Sequence, residues 1–354
     1  MPFFSILLPT KNRANLIGHA LQSVLMQSFG NFEIIIADND DTTATQQEVS
    51  KFSDTRIRYF KTGGLSMPDN WEFARTKAQG RFLTVLEDKQ AYYQWALERL
   101  NKIIEVGNID VCIWNWDASN KKTENSTVGL DSFMLLSSSF ALEQYMSGNL
   151  PWRTSPRMLN SCASRELIDR ISYLLPGRRF FINYSPDLCA AFSQLALIDN
   201  FYYTPSSLGY MTAKVSNATS YRKRKDSVSR YYSGESVIDL SGAVSMVPIK
   251  NEFIIHNTVY NDYLRVREFV GGRLNDFTMS SVAYAKMCMH DCLVTLRVGG
   301  DNSKELKDVA NYMNATLPPV TRLKLWGGYI LKWLNFKLRR FVKALLGGSY
   351  IGKE

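Results

Sequence analysis

At 354 residues the chain is long for a single compact domain, and one main domain with an appendage is the natural expectation. Hydrophobic residues make up 45% and charged residues 21%, which excludes a disordered chain, and no run reaches the roughly 18 apolar residues that a spanning helix needs. The net charge of +9 is concentrated in Arg222-Lys223-Arg224-Lys225 and in a tail from Arg322 to Lys343 without an acidic residue, a distribution that attracts phosphates or anionic lipid.

The apolar opening Phe3–Leu8 is cut short by Pro9 and Lys11 and lacks a basic leader, so it reads as a buried strand and not as a signal peptide. From Ala14 to Gln27, apolar residues at Leu16, Ile17, Ala20, Leu21, Val24 and Leu25 predict a helix with one buried face. Phe32–Ala37 is almost continuously apolar, as a strand covered on both faces should be, and ends in Asp38-Asn39-Asp40-Asp41-Thr42, a polar loop suited to capping the next helix. Arg56–Tyr59 predicts a third strand and Asp69–Lys77 a helix. Phe82–Leu86 predicts a fourth strand, followed by a helix from about Tyr92 to Val106 and a strand at Asp110–Trp114. Strand and helix alternating in this order mean a parallel sheet with right-handed crossovers.

Further on, Asn160–Leu175 and Asp187–Leu197 look helical, with short strands near Tyr202 and at Leu208–Met211. Ser216–Ser236 is polar and basic and marks a boundary. Val237–Asn314 reads mostly as helices, and Pro318-Pro319 separates the tail. The five scattered cysteines are odd in number, which points to a reduced, intracellular protein. With no basic leader and no spanning apolar run, the chain is expected to be neither secreted nor membrane-spanning.

Ligands of open parallel sheets sit beyond the carboxyl ends of the strands. The polar clusters Thr10-Lys11-Asn12-Arg13, Asp38-Asn39-Asp40-Asp41 and Glu87-Asp88-Lys89 all fall there, which makes one shared crevice the expected site.

The order of these motifs resembles family 2 glycosyltransferases of the GT-A fold. The resemblance is carried by Phe4-Ser5-Ile6-Leu7-Leu8-Pro9-Thr10-Lys11-Asn12-Arg13, by Leu21–Phe29 with Phe32-Glu33-Ile34-Ile35-Ile36-Ala37-Asp38-Asn39, and by Ser66–Glu72 with Gly80–Leu86. It is good over the first 115 residues and thinner to about 215. It implies a GT-A, Rossmann-like α/β fold over 1–215, with a nucleotide-sugar half (1–115) and an acceptor half (116–215). A basic linker (216–236), a helical appendage (237–317) and an amphipathic tail helix (320–346) would follow.

The resemblance also implies a nucleotide-sugar donor, with Pro9, Thr10 and Asn12 lining the nucleoside pocket and Asp38 meeting base or ribose. Arg13, Asp40, Asn70 and Lys89 complete the donor-binding candidates, and Trp71 would help to close the pocket or belong to the core. A glycan or lipid-linked acceptor is implied as partner, with no nucleic acid, and an oligomer is compatible with the sequence.

In the family a D-x-D motif after the fourth strand holds a divalent metal. The corresponding Leu86-Glu87-Asp88-Lys89-Gln90 preserves both carboxylates in neither register: Lys89 or Gln90 takes the second position. Two readings follow. Glu87 and Asp88 ligate Mg2+ or Mn2+, or Lys89 places a fixed positive charge beside the diphosphate and partly replaces the metal.

An inverting transferase needs a carboxylate base, and Asp187 in Phe181–Cys189 resembles the family's residue, with helix capping as its structural alternative. Two other readings compete: a binding protein on a decayed transferase fold, and a nucleotidyltransferase, which the absence of glycine in Pro9–Arg13 disfavours.

Three lesser signals complete the reading. Trp152-Arg153-Thr154 stands where an acceptor half begins, and an exposed Trp there would stack on a sugar ring. Cys288-x-His290-x-Cys292 places the two thiols on one helix face and the imidazole elsewhere, the pattern of core thiols and not of a zinc site. In the tail, Trp326, Ile330, Trp333, Leu334, Leu338, Phe341, Val342 and Leu345 form an apolar face opposite Lys332, Arg339, Arg340 and Lys343. That composition suits an in-plane helix on the inner face of the cell membrane, or a helix packed on the body of the protein.

Overall fold

The structure, a computed structural model, describes residues 1–119, 133–148, 154–213 and 240–345. The first half runs β1 (Phe4–Thr10), α1 (Ala14–Leu25), β2 (Phe32–Asp38), α2 (Ala44–Val49), β3 (Ile57–Lys61), α3 (Met67–Lys77), β4 (Phe82–Val85), β5 (Gln90–Tyr92), α4 (Ala96–Gly107) and β6 (Val111–Asp117). It continues through β7 (Met134–Ser137), α5 (Ser138–Met146), β8 (Ser161–Ser164), α6 (Arg165–Leu174), α7 (Pro186–Leu197) and β9 (Asn200–Met211). Four helices follow: α8 (Ile255–Val270), α9 (Ser281–Arg297), α10 (Ser303–Thr316) and α11 (Pro319–Leu345).

Among the described residues nine strands form one sheet in the order β3-β2-β1-β4-β8-β6-β9-β5, with β7 also on β9. β1 to β4 are parallel, and β6 and β9 run the same way. β8 lies antiparallel between β4 and β6, and β5 and β7 are antiparallel to β9.

The sheet has helices on both faces, which is why its first strands are apolar at consecutive positions. Phe4, Ile6, Leu8, Ile34 and Ile36 pack with Ile17, Leu21 and Val24 of α1 and with Leu97, Leu100 and Ile104 of α4. Leu7, Ile35, Ala37 and Val85 face Trp71 and Ala74 of α3 on the opposite side. That second core continues without a break through α7 into Tyr263, Tyr284, Cys288, Val309 and Met313, so the C-terminal helices are part of the body.

Gly80 permits a close approach before β4: a Cβ there would lie 2.6 Å from both the backbone N and the Oγ of Ser5, while its own N–H donates to Ser5 Oγ at 2.7 Å.

Three expectations change. Residues 161–164 are not the start of a helix but strand β8, and the helix begins at Arg165 with Ser164 as its cap. The helix expected from Tyr92 begins at Ala96, because Gln90–Tyr92 pair with β9 first. The two short strands near Tyr202 and Leu208 are one twelve-residue strand.

α11 contacts α9 and α10 through Leu325, Trp326 and Tyr329, which pack against the core. Its other apolar side chains stay exposed: Leu323 (72%), Leu331 (69%) and Leu338 (61%), with Ile330 and Leu334 at 49% each. Lys324, Lys332, Lys337 and Arg339 are exposed beside them. Among the described residues no helix is long and apolar enough to cross a membrane. The basic run Arg222–Lys225, the pair Trp152-Arg153 and the side chains of Arg340, Phe341, Val342, Lys343 and Leu345 lie outside the described residues.

Candidate functional site

The strand order 3-2-1-4 reverses the direction of winding between β1 and β4, and a ligand crevice is expected where their carboxyl ends diverge. An open cleft of about 400 Å³ lies there, lined by Pro9, Thr10, Lys11, Asn12 and Arg13 after β1, by Asn39 after β2, and by Glu87 and Asp88 after β4. Leu65, Met67, Asn70 and Trp71 of the α3 entry, with Leu159 and Asp187, close it.

The loop after β1 turns sharply at Asn12, whose φ of 54° is left-handed and uncommon for a side-chain-bearing residue. The turn brings Arg13 back over β4, where its Nη1 stands 3.0 Å from Asp88 Oδ1. Thr10 Oγ1 donates to the other carboxylate oxygen of Asp88 at 3.0 Å. The sequence places Thr10 and Asp88 at separate strand ends; the structure joins them directly.

Asp38 is in β register with Thr10 but does not line the cleft. Its carboxylate is fully buried and accepts from Tyr59 Oη at 2.5 Å, Lys61 Nζ at 3.2 Å and the Asp40 backbone N–H at 2.9 Å. Asp40 also lies behind the wall, accepting from Thr42 and Thr45. Burial alone would raise its pKa, but these bonds and Lys61 bring it below the usual carboxylate value. Both residues shape the wall, and Asn39 between them reaches the cleft, its amide bridging to Leu65 in both directions (Nδ2 to O 2.6 Å, N to Oδ1 2.9 Å).

Asn70 lines the cleft and ties its floor together: Nδ2 donates to Ala37 O at 3.0 Å and Oδ1 accepts from Thr62 Oγ1 at 2.7 Å. Trp71 is both core and wall, packed edge-on against Phe181 at 5.3 Å. The next residue, Glu72, accepts the backbone N–H groups of Phe180 and Phe181 at 3.1 and 3.0 Å, which ties α3 to the segment leading to Asp187. Arg75 is spent on Glu72, and Lys77 lies 5.0 Å from the Phe73 ring.

Asp187 sits in the first turn of α7 behind Pro186, where the helix N-terminus favours a carboxylate. Ser185 is the N-cap and makes no side-chain cap bond. Burial pushes the Asp187 carboxyl above the ordinary range, and Arg157, 3.6 Å away, opposes the rise. The sequence reading missed Arg157 because it comes from an irregular segment before β8 with no periodicity to place it.

Glu87 and Asp88 were the metal candidates. Glu87 Oε1 pairs with Lys89 Nζ at 3.0 Å, and its backbone N–H donates to Gln90 Oε1 at 3.0 Å. Lys89 is buried behind the cleft lining. Burial raises the Glu87 pKa despite Lys89, which weakens it further as an anionic ligand. Asp88 is already held by Arg13 and Thr10. A hard divalent ion wants several free oxygens, and in neither register are two presented. Among the described residues no group of three His, Cys, Asp or Glu side chains is placed to hold a metal ion. Each carboxylate of the motif is thus already paired with a cation of the chain.

Elsewhere, Cys288 and Cys292 are buried in the core with thiol pKa raised by burial for Cys288, while His290 of the same helix faces outward. Cys112 and Cys162 stand opposite each other in β register, and both are buried, free thiols.

The chain is 29% identical over 129 residues to the Escherichia coli UDP-Glc:alpha-D-GlcNAc-diphosphoundecaprenol beta-1,3-glucosyltransferase WfgD, covering 35% of this chain and 49% of that protein. It is 34% identical over 105 residues to the Campylobacter jejuni GalNAc(5)-diNAcBac-PP-undecaprenol beta-1,3-glucosyltransferase, covering 28% and 34%. The chain thus spans half or less of the length of these curated relatives. The crystal structure of S. aureus TarS 1-349 superposes with a TM-score of 0.50 at 15% identity, over 88% of this chain and 89% of that one, a likeness of fold. Residues 5–166 match the family described as Glycosyl transferase family 2.

Proposed function

We propose that the protein transfers a sugar from a nucleoside-diphosphate donor to a hydroxyl group of a glycan or lipid-linked acceptor, with inversion and with Asp187 as the base. The observation that carries this reading is that Thr10–Arg13, at the switch point of the sheet, and Asp187 line one cleft. Backbone and side-chain donors after β1 suit the nucleotide and its phosphates, as loops at this position in α/β sheets do.

In the reaction Asp187 removes the proton of the acceptor hydroxyl as that oxygen bonds to the anomeric carbon. The bond from that carbon to the diphosphate oxygen breaks, and the diphosphate leaves with the electron pair. A carboxyl whose pKa is raised by burial is a better proton acceptor than an exposed one, which is the property the step requires. The names of the two relatives, with a UDP-glucose donor for one and undecaprenol-linked acceptors for both, support the same classes of partner here.

The exposed apolar row of α11 (Leu323, Ile330, Leu331, Leu334, Leu338), flanked by Lys324, Lys332, Lys337 and Arg339 with no acidic residue in the helix, suits an anionic membrane surface. The protein would then work as a peripheral enzyme on the cytoplasmic face, where a lipid-linked acceptor is presented.

The test is release of nucleoside diphosphate from UDP-, GDP- and dTDP-sugars by the full chain with a diphosphoundecaprenol-linked acceptor. Asp187→Asn should melt as the wild type does and lose about a hundred- to ten-thousand-fold in kcat. Turnover at the wild-type rate in that variant would remove Asp187 from the role. Nucleotide binding without turnover in the wild type would favour a binding protein on the same fold.

A further inference from the structure

We infer that the donor diphosphate is held by this chain's own cations, with Lys89 standing in place of the divalent ion. The inference rests on the transferase reading and concerns the same cleft.

Three carboxylates face or flank the place where a diphosphate would lie, and each is matched within the chain. Asp88 is held by Arg13 at 3.0 Å, Glu87 by Lys89 at 3.0 Å and Asp187 by Arg157 at 3.6 Å. Lys11 lines the same cleft, and with Arg13 beside it and Lys89 and Arg157 behind the lining, four cations stand against these three carboxylates. A site that recruits Mg2+ or Mn2+ has the opposite balance: oxygen ligands in excess, whose charge the metal cancels before phosphate arrives. Here that cancellation is covalently built in.

The two backbone registers reinforce the point. If Glu87 were the first ligand, the second position is an ammonium; if Asp88 were, the second is an amide whose oxygen already accepts the Glu87 N–H at 3.0 Å. Lys89 is also fixed in place: its backbone carbonyl accepts from Thr212, and β5, which starts at the next residue, pairs with β9. A lysine ammonium is a compact charge with three donors, well suited to phosphate oxygens. To reach them it exchanges Glu87 for the ligand.

The experiment titrates UDP, GDP and dTDP into the full chain by calorimetry, once in EDTA and once in MnCl2. The nucleotide that binds should do so with Kd values agreeing within about threefold in the two buffers. Lys89→Asp rebuilds an acidic pair with Glu87; it should weaken binding at least about tenfold in EDTA and recover with Mn2+. Lys89→Gln should weaken binding in both buffers without rescue, and the melting temperature of each variant confirms that it is folded.

Wild-type binding that falls tenfold or more in EDTA and returns with Mn2+ would overturn the inference and leave the transferase reading intact. Variants that bind like wild type in both buffers would overturn the role of Lys89. Failure of all three nucleotides in both buffers would instead overturn the transferase reading, and the inference with it.

Discussion

Asp262 of α8 is fully buried, and its Oδ2 accepts the backbone N–H of Ser185 at 2.9 Å, two residues before Asp187. A residue of the C-terminal helices thus positions the entry to the helix that carries the candidate base. Burial raises its pKa to about 7, against the bonds from Ser185 and Cys189 that lower it. The unfolded chain releases this proton near pH 4, whereas the folded protein keeps it to about 7. In that window the folded state binds more protons, so stability falls as pH rises, by at most about 1.4 kcal/mol per pH unit, and changes no further above 7. Asp262→Asn keeps an acceptor for Ser185 and removes the titration. Urea midpoints at pH 5 and pH 8 should differ less in the variant than in the wild type; equal slopes would show that Asp262 ionises normally. Neither this contact nor the Arg157–Asp187 pair can be read from composition, because the partners lie 77 and 30 residues apart in segments with different periodicities. Asp38 shows the converse: its place at the end of β2 was plain, but the strand's alternation turned its carboxylate towards Tyr59 and Lys61.

At the level of elements, β1, α1, β2, α3 and β4 announce themselves through period and punctuation, and their observed ends fall within a few residues of the expected ones. β8 does not. Ser161-Cys162-Ala163-Ser164 has small side chains, no alternation and a helix directly after it, so it extends only because β4 and β6 offer it two edges. β5 is likewise three residues long and exists through its pairing with β9. The pairing leaves no room beside Gly209, where a Cβ would stand 2.3 Å from Ala91 O and 2.3 Å from Trp116 Cζ3. Gly209→Ala should therefore push β5 from β9 and cost about 2 kcal/mol, read as a lower urea midpoint. Because β5 follows Glu87–Lys89 directly, nucleotide affinity should fall with it. A variant as stable as wild type would mean that the strands separate without strain.

Over the whole molecule, the second core runs from β1 through α7 to α10, and α11 leaves that body with one side packed and one bare. The exposed leucines are not needed for packing, so they can be changed without unfolding the protein. Leu331→Asp with Leu338→Asp should leave the melting temperature near that of wild type and abolish co-sedimentation with phosphatidylglycerol vesicles. Wild-type binding should weaken as salt is raised, since each basic residue near an anionic surface contributes about 1 kcal/mol through screened attraction. Equal binding to phosphatidylcholine vesicles, or unchanged binding by the double variant, would argue against an anionic membrane as the partner of this face.

The pattern of residues was enough to establish the α/β class, and it pointed to a crevice at the strand ends, an altered acidic motif and an amphipathic tail. Each of these is a local property, written in periodicity or in the identity of a few consecutive side chains. Only the folded chain decided that Asp88 would be held by Thr10 and Arg13, that Lys89 would turn to Glu87, and that Arg157 would meet Asp187. Charge pairing depends on distances between side chains brought together by strand order and crossover, and a linear spacing of 75 residues carries no information about a separation of 3.0 Å.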